Sequence, residues 1–193
     1  MAELNVKSIF NDYFREHKYL YSQHVELRPY NLDTDSIIGS FSDCDWEEIF
    51  PGIDEASFNV WSKCDDRIIL SCIDKELRQL FGVLVITDSI ISENSVCFHG
   101  GTWKHERRYS LLAYEGLHKV LQLLIANRFD VLTTCNKTNL RADMLQKRFG
   151  FVEYKQDDVL SYKHLDVEKF ANCDIPQHLE FSFSRLKDKQ LYS

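Results

Sequence analysis

Three places in this 193-residue chain carry residues able to do chemistry together. The first is Lys104-His105-Glu106-Arg107-Arg108, three permanent positive charges just ahead of a long apolar-striped segment, in a chain of formal net charge -7. A helix start offers unpaired N–H groups and a positive dipole end, so cations placed there against the sign of the whole chain read as an anion site. The second is His99, beside Gly100-Gly101 at the end of an apolar strand pattern. An ordinary imidazole titrates near neutrality, which makes His99 a candidate base. The third is Asn139 with Ala142, Leu145, Phe149 and Gly150-Phe151 behind it. The apolar members recur at helical spacing, and Gly150 sits where a left-handed residue can end a helix before Phe151 opens a strand. Asn139 reads equally well as the cap of that helix.

Such residues need elements to hold them. Over residues 5–20, Val6, Ile9, Phe10, Tyr13 and His17 fall at three-and-four spacing, predicting an amphipathic helix that could be an accessory or oligomer element. Val25 to Pro29 alternates as an opening strand would. Asp33 and Asp35 introduce a helical region containing Trp46, Ile49 and Phe50, and a second helix is predicted over 54–63. Runs 68–73 and 79–87 form a hairpin pattern around Asp74-Lys75-Glu76, with a third strand over 96–103. A long helix follows over about 110–127, striped by Ala113, Leu117, Val120, Leu121 and Leu124. Strands are predicted at 130–135, 151–154 and 160–165, and the alternation of Leu179, Phe181 and Phe183 predicts a last one. The architecture expected is one α+β domain.

Composition narrows the function. With 44% hydrophobic and 27% charged residues, the chain has enough apolar material for a sizeable core. An acidic balance argues against a general nucleic-acid binder and suits a cationic or amine partner. The six cysteines, Cys44, Cys64, Cys72, Cys97, Cys135 and Cys173, lack a C-x-x-C pair or metal-ligand rhythm, so free thiols in a reducing cytosol are expected and no metal. No stretch is long and apolar enough to act as signal peptide or membrane span, which predicts a cytoplasmic protein.

The strand at 130–135, the helix from Asn139 and the Gly150-Phe151 exit resemble the C-terminal half of the GNAT superfamily, the acyl-CoA-dependent N-acyltransferases. The similarity extends over roughly Val25 to Leu165. It implies a mainly antiparallel mixed sheet with flanking helices, one domain over 25–193 behind an N-terminal helical extension over 1–24. It also implies acetyl-CoA as acyl donor and a primary amine as acceptor, either a small molecule or a protein N-terminus. The family's phosphate loop, Arg/Gln-x-x-Gly-x-Gly/Ala, fits in one register on Arg108, Leu111 and Ala113, and in a neighbouring one on Arg107, Ser110 and Leu112. Arg107, Arg108, Tyr109, Ser110, Leu111 and Ala113 are therefore candidate cofactor residues, with Leu111 standing where close phosphate approach favours glycine. By the same resemblance Asn139 positions the thioester. Gly100-Gly101 falls where the family has a sheet-opening bulge, which makes Gly101 a candidate partner of the pantetheine arm.

His99 is then the candidate base of acyl transfer, and Trp46, Phe50 and Trp103 are candidate walls of an acceptor pocket. Cys135 ends a strand near the expected thioester, yet no histidine lies at a short fixed spacing to activate it, so direct transfer is expected. The position of the family's thiolate-protonating tyrosine holds Gln146, which cannot act as a general acid. Leu111 and Gln146 support the alternative of a catalytically silent module that binds a CoA thioester or a protein partner. A homodimer is compatible with either reading.

Overall fold

A computed structural model of the chain describes residues 5–37, 46, 50, 53–92, 94–102 and 106–190, with residues 55 and 185–190 described by backbone alone. Helix α1 (Val6–Glu16) begins at Asn5, whose side chain accepts the Ser8 N–H, and the Asp88 carboxylate takes both the Val6 N–H and the Asn5 amide. Its Val6 and Phe10 are fully buried, as the helical spacing predicts, so this helix is part of the main core.

Strands β1 (Leu20–Tyr21), β2 (Val25–Pro29), β3 (Arg67–Asp74), β4 (Gln79–Asp88) and β5 (Ser95–Thr102) pair antiparallel in chain order. Helix α2 (Glu55–Trp61), capped by Asp54, lies between β2 and β3 in sequence. After β5 comes the long helix α3 (Arg107–Ala126), then β6 (Asp130–Asn136), which pairs parallel to β5. Helix α4 (Leu140–Arg148) and the strands β7 (Phe151–Gln156) and β8 (Leu160–Leu165) follow. The result is one mixed eight-stranded sheet in the order β1-β2-β3-β4-β5-β6-β8-β7, antiparallel except at β5–β6. The α+β class read from the sequence is therefore the class observed.

Alternate side chains of the strands serve two cores, as a pleated strand requires. Leu70, Leu84, Ile86 and Phe98 join α1 and α3 on one face, while Ile69, Val83 and Val85 join Ile37, Trp46, Phe50 and Phe58 on the other. Gly150 ends α4 at φ +92°, and an added Cβ there would come within 2.8 Å of the Phe170 backbone nitrogen, so both conformation and space demand glycine.

The C-terminal segment departs from the strand expected of it. Residues Val167–Ala171 form the short α5 and Ile175–Gln190 form α6. Leu179 and Phe183, four apart, are buried against α3, whereas Phe181 between them is 61% exposed. Alternating apolar residues over so short a run fit either period, and packing on α3 selects the helical one.

Candidate active site

The parallel ladder between β5 and β6 runs from Ser95/Asp130 to Phe98/Thr133 and stops. Beyond it β5 remains paired to β4 through Thr102, and β6 remains paired to β8 through Asn136. The two strands diverge and leave a V in the sheet, whose vertex is closed by the Thr133 hydroxyl donating to the Phe98 carbonyl at 2.9 Å. A cleft of about 280 Å³ follows this opening, bounded by the ends of the strands, by α3 and by α4. It touches Val83 and His99 from one face of the sheet and Leu84 and Phe98 from the other. A passage of this kind lets two reactants meet from opposite faces.

The Gly100-Gly101 pair was expected to form a bulge, and here the structure corrects the sequence reading. The β4–β5 register is regular throughout, with Gly100 opposite Leu84 and Gly101 opposite Val83. Register irregularities lie instead between Cys72 and Ile73 of β3 and between Glu153 and Lys155 of β7. The sheet opens because β6 leaves β5, and a Cβ at Gly100 would lie 2.7 Å from Leu84 Cδ2, the end of a flexible side chain, and 3.0 Å from the Val83 carbonyl oxygen. Gly101 lines the cleft, and the backbone of His99–Gly101 that faces β6 has no ladder partner among the described residues.

The phosphate loop is corrected as well. Helix α3 starts at Arg107, three residues earlier than the apolar stripe suggests, so the amides of Tyr109 and Ser110 already bond to the Glu106 carbonyl. Tyr109 and Leu111 point into the core, with the Tyr109 hydroxyl donating to Gln79. Arg108 turns away from the cleft. Its guanidinium binds the fully buried Asp74 through two bonds of 2.6 and 2.9 Å and reaches Glu76 at 2.7 Å. One cation between two carboxylates leaves net negative charge, which is the wrong sign for a phosphate. Burial raises the Asp74 carboxyl, and the hydrogen bonds and charge of Arg108 together with the Leu77 and Glu76 amides outweigh it and hold the group below the usual carboxylate range.

What remains open at this end of α3 is its first turn, because the helix has no side-chain cap at Glu106 and Arg107 is exposed. Ser110 and Ala113 do line the cleft. So does Arg141, an exposed cation in the first turn of α4 with no ion pair among the described residues, which sequence reasoning overlooked. Only its spacing, two residues after Asn139, could have marked it.

Asn139 lines the cleft and also caps α4, its side chain accepting the Ala142 N–H at 3.0 Å. His99 lines the cleft with Cys97 Sγ 3.3 Å from its Nε2. Burial pushes the imidazole down to about 4 and the Cys97 thiol up to about 11, so the pair is neutral rather than a thiolate–imidazolium couple. So enclosed, the imidazole favours its neutral form and departs from the near-neutral titration that its residue type suggests. Trp46 and Phe50 are corrected too. They are buried in the second core against Phe58, where the Trp46 indole donates to the Ile53 carbonyl, and neither lines the cleft. Trp103 lies outside the described residues.

Gln146 occupies the inner wall of the cleft within a polar chain that sequence gave no reason to expect. Lys163 of β8, whose register partner on β6 is Thr133, is fully buried and donates to Asp143 at 2.6 Å and to Gln146 Oε1 at 2.8 Å. The Gln146 amide then donates to Thr133 Oγ1 at 3.3 Å and the Thr134 carbonyl at 3.2 Å. No cluster of metal-ligating side chains occurs among the described residues, and no described helix is long and apolar enough to cross a membrane.

No family model matches the sequence, and no curated protein does. Solved structures do match the fold. A GCN5-related N-acetyltransferase from Brucella melitensis superposes with a TM-score of 0.62 at 15% identity, over 83% of this chain and 82% of that one. An acetyltransferase of the GNAT family from Bacillus anthracis gives 0.59 at 13% identity, over 76% and 97%. The GNAT domain of S. lividans PAT gives 0.57 at 13%, over 74% and 90%. The fold is that of the GNAT superfamily.

Proposed function

We propose that this protein is an acetyltransferase that moves an acetyl group from acetyl-CoA to a primary amine, on a small molecule or a protein N-terminus. The observation that carries this reading is the V between β5 and β6, which passes through the sheet of a GNAT fold. The cleft suits the acyl end and pantetheine arm of the donor. It is elongated between two helices, offers the unladdered backbone of His99–Gly101, and has the uncapped start of α3 near one end. Arg141 and the Arg107 and Arg108 amides of α3 would hold the phosphates, and Asn139 and Ser110 would flank the arm.

No carboxylate is among the described residues that line the cleft. The acceptor amine therefore loses its proton to water or enters neutral, with His99 as a hydrogen-bonding partner of the reacting groups rather than a strong base. Transfer is direct. The Cys135 thiol is buried and turned towards the carbonyls of Asn136 and Asn139, which removes it from the reacting atoms.

The low-pKa histidine and the absence of a general acid at Gln146 favour a second reading, a silent module that binds the thioester. One experiment separates the two. Acetyl-CoA is expected to raise the melting temperature, and a panel of amines is expected to include one that converts it to free CoA. Stabilisation without turnover on any amine would support the silent module, and no stabilisation at all would end both readings.

A further inference from the structure

Lys163 is the one fully buried lysine among the described residues, and nothing in the reaction outlined above uses it. A buried ammonium is costly unless paired, and its pairing here is incomplete. Its carboxylate, Asp143, is shared with Lys147 at 2.8 Å and is itself partly exposed. Hydrogen bonds from Lys147 and Lys163 hold Asp143 below the usual carboxylate range, so two cations share this carboxylate, and the next anion is Glu153, opposite Lys163 on β7 and bonded to the Ser161 hydroxyl. The Lys163 ammonium faces inward through Gln146. Lys163 can only donate, so it fixes Oε1 of Gln146 towards β8 and thereby turns the NH2 group towards Thr133 and the vertex of the V. An ammonium behind it polarises that amide, and both of its present hydrogen bonds are long.

We infer that Lys163, acting through Gln146, makes the vertex of the cleft an anion-stabilising corner that receives the departing thiolate of the acyl donor. The inference rests on the acyltransferase reading. In the step it serves, the amine nitrogen forms the C–N bond and the C–S bond breaks with its electron pair leaving on sulfur. The proton shed by nitrogen passes to water in the open part of the cleft. A leaving group stabilised as its anion needs no general acid at the moment of cleavage, so the side chain at Gln146 need not titrate. Lys163 is a positioning residue, since it reaches the reacting atoms only through the amide. The other charged or titratable groups about this corner are Arg141 and Lys147 on α4, His99 on β5, Cys135 on β6, Tyr114 on α3 and Glu153, opposite Lys163 on β7.

The test reads the thiol itself. Free CoA is bound to the full protein and its thiolate is followed by ultraviolet absorbance against pH, with the S-methyl ether of CoA as blank for the protein's own cysteines. In the wild-type complex the CoA thiol is expected to titrate roughly one unit below free CoA. Lys163→Met and Gln146→Leu are expected to return it towards the free value. Asp143→Asn, which removes the compensating carboxylate and keeps the lysine, is expected to lower it further. That opposite sign separates an electrostatic role from a structural one and remains readable if Lys163→Met does not fold. Tight CoA binding with an unshifted thiol, or variants that all move it the same way, would overturn the inference while leaving the acyltransferase reading intact. Absence of CoA binding would overturn both.

Discussion

Two helix starts border the cleft, and they resolve the same physical problem in opposite ways. The start of α4 is closed: Asn139 satisfies the Ala142 N–H, and the first turn presents Arg141 to the cleft with no acidic partner among the described residues. The start of α3 is left without a side-chain cap, while the arginine beside it is consumed by Asp74 and Glu76. Formal charge is thus a poor guide to available charge. The sequence concentrates cations before α3, and the fold turns Arg108 into a bolt between that helix and the β3–β4 turn. The arginine that lines the cleft, Arg141, stands on the other helix.

The largest effect expected from this contrast is on stability. Arg108→Ala strips the partner from a carboxylate with no exposed surface, although the Glu76 and Leu77 amides still donate to Asp74. A loss of about 2–4 kcal/mol in unfolding free energy is expected, read by denaturant or thermal melting. Affinity for acetyl-CoA, measured by calorimetry below the melting range, should be nearly unchanged. A well-folded variant with strongly weakened binding would return Arg108 to the phosphate site.

Arg141→Ala should show the reverse pattern. An exposed side chain without an ion pair contributes little to folding, but a charge-assisted contact to a phosphate oxygen contributes about 1.5–3 kcal/mol, or roughly ten- to a hundredfold in affinity. Equal acetyl-CoA affinity in Arg141→Ala and the wild type would leave the uncapped start of α3 as the anion site by itself.

The same contrast explains what could be read from the sequence. The segment from Asp130 to Phe151 was legible because its signals are local: an apolar strand, a cap, a helical stripe and a left-handed glycine, each acting on its neighbours in the chain. The meander of β3, β4 and β5 was legible for the same reason. What could not be read depends on partners far apart in sequence. Arg108 meets Asp74 across 34 positions, and Lys163 meets Gln146 across 17. Alternation in β8 places Lys163 on the same face as Ser161 and Leu165, yet a lysine among such residues reads as solvent-facing until Thr133 is known to be its neighbour. Trp46 and Phe50 suit pocket walls by residue type, since aromatics serve cores and pockets alike, and only burial decides.

His99 supplies the smallest effect and the finest test of the cleft, because its chemistry depends on enclosure rather than on residue type. Burial favours the neutral ring, so the folded-state value of about 4 lies below the ordinary 6.5 expected when unfolded. The sign follows from proton counting: between about pH 6.5 and 4 the unfolded chain binds a proton that the folded chain refuses, so acidification through that window removes stability, and below it the loss levels off. His99→Gln keeps a polar side chain of similar reach and has nothing to titrate. The wild type should therefore lose stability relative to His99→Gln as pH falls from 6.5 to 4, in a window above the one where Asp74 and Asp143 begin to protonate. The imidazole resonances of the folded protein give the value directly. With an active acceptor in hand, kcat/KM should lack an inflection near 6.5 that disappears in His99→Gln. A resonance titrating near 6.5, or such an inflection, would mean that the cleft admits enough water to restore an ordinary histidine, and His99 would then regain the standing of a general base.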